Sequence, residues 1–91
     1  MKNLIWTHKF IKSTNKFIGK NPDLVPLFKE RIKQIEENSF EPTLKTHKLK
    51  GNLSSFYSAS LNFNFRILFQ FDPDNSENII LHIIGSHDEV Y

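Results

Sequence analysis

The sequence predicts an α+β fold in the order β-α-α-β-β-β: two N-terminal helices packed on one face of a mostly antiparallel four-stranded sheet. Three observations predict it. Apolar residues recur at helical spacing through the N-terminal part of the chain, and from Phe56 onward the period falls to two. The third is supply: nine Phe, one Trp and two Tyr in 91 residues furnish a dense core. A chain this short buries only ~60–65% of the surface its unfolded form exposes, so that density is needed. One domain spanning residues 1–91 is expected.

Residues 3–7, Asn-Leu-Ile-Trp-Thr, read as a short first strand. From Thr7 or His8 the pattern turns helical, with Phe10, Ile11, Phe17 and Ile18 falling on one face of a 3.6-residue repeat. Gly19 suits the end of that helix, because glycine tolerates a left-handed cap. A second helix restarts at Asn21-Pro22-Asp23. With Asp23 as its N-cap, Pro26 falls in the first turn, where a missing amide hydrogen costs nothing. Leu24, Leu27, Phe28, Ile32 and Ile35 form its apolar stripe, and Asn38 and Pro42 mark its end.

Phe56 to Leu61 is the next strand, and Asn62-Phe63-Asn64 a tight connection. Phe65 to Phe71 alternates, with Phe65, Ile67, Phe69 and Phe71 on one face and Arg66, Leu68 and Gln70 on the other. Asp72-Pro73-Asp74-Asn75-Ser76 is dense in turn formers. Asn78 to Gly85 is a nearly continuous Ile and Leu run, as expected of a strand buried on both faces. The last three strands form a meander, and the first strand is expected beside the last.

Composition removes several function classes. With no cysteine there is no disulfide framework, no thiolate zinc site and no thiol nucleophile, which fits a reducing compartment. Met1-Lys2-Asn3-Leu4-Ile5-Trp6 turns polar too soon for a signal peptide, and no apolar run nears the ~20 residues that span a bilayer. A cytoplasmic protein without a membrane partner is expected. A net charge of +2 permits a polyanionic partner without requiring one.

Three places break the core-building pattern. Thr46-His47-Lys48-Leu49-Lys50-Gly51 reads either as a loop delivering cations and an imidazole to a phosphate or as a solvated basic loop. Arg66 stands among aromatics in mid-strand, and an unpaired buried charge is costly. It reads as a phosphate clamp, since a planar guanidinium bonds phosphate through two parallel hydrogen bonds, or as half of an ion pair on the open sheet face. Gly85-Ser86-His87-Asp88-Glu89-Val90-Tyr91 sets His87 and Tyr91 four residues apart directly after a strand; the alternative is a frayed tail, against which the bulky Val90 and Tyr91 argue.

His8 reads as a surface residue. His82, in parity with Ile80 and Ile84, reads as a hydrogen-bonded core histidine. No metal-ligand spacing occurs among the four histidines, and no metal or other cofactor is expected. Together His47, His87, Arg66 and Tyr91 supply what RNA transesterification needs. A 2′-hydroxyl must lose a proton, a 5′-oxygen must gain one, and the phosphorane charge must be neutralised. Imidazole suits both proton roles because it titrates near neutral pH.

In His47-Lys48-Leu49-Lys50-Gly51, Phe65-Arg66-Ile67-Leu68-Phe69 and Ile84-Gly85-Ser86-His87-Asp88-Glu89-Val90-Tyr91, the chain resembles the RelE-like superfamily of bacterial type II toxins, closest to the YafQ-type branch. The resemblance runs the whole length and includes the element order. It implies an endonuclease that cleaves mRNA in the ribosomal A site, with ribosomal RNA as a further partner, and arrests translation. The products would be a 2′,3′-cyclic (or 3′-) phosphate and a 5′-hydroxyl, and a cognate antitoxin would wrap the toxin. It makes His47 general base and His87 general acid, with the two exchangeable, gives Tyr91 a stacking or ordering role, and has Arg66, Lys48 and Lys50 hold the phosphate. The chain departs from the branch at Ser60 and Asn64, which replace a further His and Asp and cannot perform their proton transfers. Within the same fold, a ParE-like gyrase poison or a non-catalytic RNA- or protein-binding module are the alternatives. The two His blocks argue against the first, which has no evident use for them.

Overall fold

The computed structural model describes residues 2–91. Its elements are β1 (Asn3–Trp6), α1 (His8–Lys20), α2 (Val25–Glu37), β2 (His47–Lys48), β3 (Tyr57–Ser60), β4 (Phe65–Phe71), β5 (Asn78–Ser86) and a terminal turn of helix, α3 (His87–Val90). The strands form a mixed sheet in the order β1-β5-β4-β3-β2. β1 runs parallel to β5, as expected of its neighbour, and the other pairs are antiparallel.

The α+β class and the meander agree with expectation, whereas the strand count does not. His47 and Lys48 pair with Ser58 and Tyr57, which makes the sheet five-stranded rather than four-stranded. Two residues are too few to show a period of two. The start of the second helix also differs. Pro22–Leu24 forms a 3₁₀ turn, so Asp23 lies inside that turn and α2 begins at Val25 with Pro26 in its first turn.

Thr7 starts α1 and ties it to the sheet. Its hydroxyl accepts from the Phe10 amide at 3.1 Å and donates to the Leu81 carbonyl at 2.7 Å. The buried stripe of α1 is then Phe10, Thr14 and Phe17, and Ile11, expected on that face, is turned outward. Phe10 and Phe17 meet Phe28 and Ile35 of α2 over Ala59, Ile67, Phe69, Ile79, Leu81 and Ile84 of the sheet. Burying a large apolar side chain contributes roughly 1.5–3 kcal/mol, so this one face carries most of the fold's stabilisation.

The other sheet face has no helix pair on it. β5 was expected to be buried on both faces, yet Ile80, His82 and Ile83 are only half-buried. An extra residue in β5 adds to the difference. Leu68 faces Ile83 and Phe69 faces Leu81, which leaves His82 as a bulge. Beyond it the parity reverses, so His82 keeps the face of Ile80 while Ile84 joins the core.

Candidate active site

Alternation and register bring the polar residues of the middle strands to the open face. Ala59, Ile67 and Phe69 point to the helices; Ser58, Ser60 and Arg66 take the opposite parity, with Ser60 directly across from Arg66. His47 stands across from Ser58 and shares its face. Lys48 stands across from Tyr57, so its parity is that of the helix-covered face. Lys50 is exposed and enters the 3₁₀ turn Gly51–Leu53, whose Gly51 has a φ of +68°.

Ser58 is the hub of the group. Its fully buried hydroxyl accepts from Arg66 Nε at 2.5 Å and from the Tyr91 hydroxyl at 2.6 Å. The first contact fixes the guanidinium along one edge and leaves the terminal nitrogens to point elsewhere. Among the described residues no carboxylate forms a salt bridge with Arg66, so the ion-pair alternative finds no partner.

The terminal helix α3 delivers the other two groups. The carboxylate of Glu89 accepts from the Ser86 amide at 2.9 Å and lies 3.4 Å from Lys16 Nζ, closing the turn on β5 and on α1. These bonds, the Ser86 amide first, hold the Glu89 carboxyl below its ordinary value. Gly85 makes the close approach possible, since a Cβ there would meet the Glu89 Cβ at 3.0 Å. Four residues apart on this turn, His87 and Tyr91 stand edge to face with ring centroids 4.4 Å apart. His87 is exposed, with Nδ1 3.7 Å from Asp88. The frayed tail, the alternative against which Val90 and Tyr91 argue, is therefore not what forms.

Arg66, Tyr91 and His87 are thus joined through Ser58 and ring packing, and His47 shares their face from the neighbouring strand. His47 is exposed, its Nδ1 3.4 Å from the Lys45 carbonyl. Ser60 bonds the Asn62 carbonyl at 2.8 Å, and Asn64 is exposed in the β3–β4 connection. Sequence reasoning missed Ser58. Its signal was the alternation of Phe56, Ser58 and Ser60 against Tyr57, Ala59 and Leu61. His8 is exposed at the start of α1, as expected. His82 is hydrogen-bonded, but to Gln70 on the open face and not in the core, because the bulge keeps it off the helix side.

A cavity of about 600 Å³ lies away from this group, between α1 and the β5 edge, and is lined by Lys16, Lys20, Asn21 and Glu89 among others. Among the described residues no three of His, Asp and Glu gather to hold a metal ion, and no helix is long and apolar enough to cross a membrane.

No protein-family model matches the chain, and no curated protein matches it in sequence. Solved structures match over its whole length. A metal-bound toxin from Helicobacter pylori superposes with a TM-score of 0.82 at 25% identity, each chain covered completely. YafQ from E. coli strain BL21(DE3) gives 0.81 at 12% identity, covering 100% of this chain and 99% of that one. YoeB in a YoeB–YefM complex from Staphylococcus aureus gives 0.74 at 25% identity, covering 96% and 98%. The fold is that of the YafQ- and YoeB-type toxins, the RelE-like fold.

Proposed function

We propose that this chain with the RelE-like fold is the toxin of a type II toxin–antitoxin pair, and that it cleaves mRNA in the ribosomal A site without a metal. One observation carries the proposal. The guanidinium of Arg66, held by Ser58 and free of any carboxylate among the described residues, shares an open face with His47 and is joined through Ser58 to Tyr91, whose ring meets His87 edge to face. A fixed cation together with two imidazoles is the equipment for phosphoryl transfer from RNA.

In the proposed reaction one imidazole accepts the 2′-hydroxyl proton as O2′ bonds to phosphorus. The other gives a proton to O5′ as the P–O5′ bond breaks, leaving a 2′,3′-cyclic phosphate and a 5′-hydroxyl. His47 takes the first role and His87 the second, and the two are exchangeable. Arg66, with Lys50, neutralises the phosphorane, and Tyr91 stacks on a base or orders the site; Lys48, expected to help hold the phosphate, has the parity of the opposite face and takes no part. Because the nucleophile belongs to the substrate, none of these steps requires a metal or other cofactor. The substrate in this reading is presented by a larger body, mRNA held on ribosomal RNA in the cytoplasm. The YefM-bound neighbour supports a cognate antitoxin as the protein partner.

Replacing Arg66 or His87 with alanine should leave the fold intact and abolish both growth arrest and transcript cleavage after brief induction. Full cleavage by both variants would defeat the assignment. DNA damage with intact transcripts would indicate a gyrase poison instead.

A further inference from the structure

On the open face, four residues along β4 from Arg66, side chains from β4, β5 and the residue just before β3 form a second group. The bulge residue His82 sets Nε2 at 3.0 Å from Gln70 Oε1, and the Phe56 ring stands edge-on to the imidazole with centroids 4.7 Å apart. Bulges re-aim side chains: here His82 keeps the open face of Ile80 while Ile84, two residues on, joins the core. Burial, aided by the charge of Lys9, lowers the basicity of His82 and so favours the neutral ring. Its Nε2–H then donates to the Gln70 carbonyl oxygen, leaving Nδ1 as an acceptor and the Gln70 NH₂ group as a donor. Among the described residues no other side-chain hydrogen bond occupies that pair.

The surroundings are apolar and accessible. Ile80 and Ile83 are half-buried and Ile5 is 39% exposed. A donor–acceptor edge set in aromatic and branched surface matches a planar heterocycle, whose face stacks while its rim is hydrogen-bonded, as unstacked RNA bases are bound. At 3.3–3.4 Å per strand residue the group lies roughly 13 Å from Arg66, within reach of a nucleotide flanking a phosphate held there. We infer that Phe56, Gln70 and His82 form a base-binding subsite for a nucleotide flanking the scissile phosphate, and that they bias which sequence is cut. The inference rests on the nuclease reading and adds a specificity determinant to it.

The test uses the labelled full chain and four short RNA oligonucleotides, each blocked by a 2′-O-methyl group at the cut position and differing only in the flanking base. Binding should shift the Gln70 side-chain amide and His82 ring signals to an extent that depends on the base. Gln70→Leu should lose about tenfold in affinity for the preferred base, the worth of a lost hydrogen bond, and should flatten the preference among the four. Phe56→Leu, a second variant should the first fail to fold, should lose about as much through stacking. Unchanged preference in a folded variant, or shifts at Arg66 and Tyr91 without any at Gln70 and His82, would overturn the subsite and leave the nuclease reading standing. No shift at either group would likewise overturn the subsite, while the nuclease reading is decided by cleavage of ribosome-bound message.

Discussion

Ser58 accepts hydrogen bonds from Arg66 and Tyr91 through one buried oxygen, so it couples the proposed phosphate clamp to the terminal aromatic. Ser58→Ala loses both hydrogen bonds but should lower stability by only about 1–2 kcal/mol, since both donors lie near the surface and can turn to water. Cleavage should fall about a hundredfold, because a guanidinium displaced by an ångström no longer meets the phosphorane. Parallel thermal melts and cleavage assays separate these effects; wild-type cleavage by the variant would remove Ser58 from the site. A second residue is informative about the core. Thr14 is buried in α1, and among the described residues its hydroxyl has no partner. Thr14→Val removes that unsatisfied group and should gain about 1 kcal/mol, raising Tm by roughly 4–8 °C. A lower Tm would mean that the hydroxyl is satisfied in solution.

Elements, more than single residues, decide how the proposed chemistry is assembled, and α3 is the smallest of them. One turn of helix is marginal alone; the Glu89 carboxylate closes it onto the Ser86 amide and Lys16. Because the folded carboxyl titrates below its unfolded value of about 4.5, this contribution is complete above that pH and is lost as pH falls through the lower folded value. Acidification should therefore detach α3, seen as loss of the His87–Tyr91 ring contact by NMR, while the sheet amides stay unchanged. Glu89→Gln should show the same loosening already at neutral pH and little further change with acid. A contact that persists in both conditions would show that Val90 packing alone suffices. The limits of reading elements from sequence appear at the same scale. The helices and the β3–β5 meander are long enough to display a period. β2 has two residues, and the bulge at His82 hides inside an unbroken Ile and Leu run, so neither leaves a periodic trace. α3 follows from a capping pair three residues apart, Ser86 and Glu89, which is visible in the sequence but was passed over for the aromatic groups beside it.

At the scale of the whole molecule, one sheet face is covered by α1 and α2 and the other has no helix pair on it. His47, Arg66, His87 and Tyr91 were legible as exceptions to core patterning, because charge and imidazole have no use in an aromatic strand. Their joining point was not legible, since a serine on a strand breaks no rule. Register is a property of paired strands, and Lys48 shows the consequence: adjacent to His47 in sequence, it takes the parity of the opposite face. The proposal is tested most directly by the chemistry of the cut ends. Ribosome-bound message should be incubated with purified protein in excess chelator, and the fragment termini analysed for the wild type and for Arg66→Ala. The account predicts a 2′,3′-cyclic phosphate opposite a 5′-hydroxyl from the wild type, with cleavage by the variant reduced at least a hundredfold. Ends bearing a 3′-hydroxyl and a 5′-phosphate, or cleavage undiminished without the Arg66 guanidinium, would contradict it.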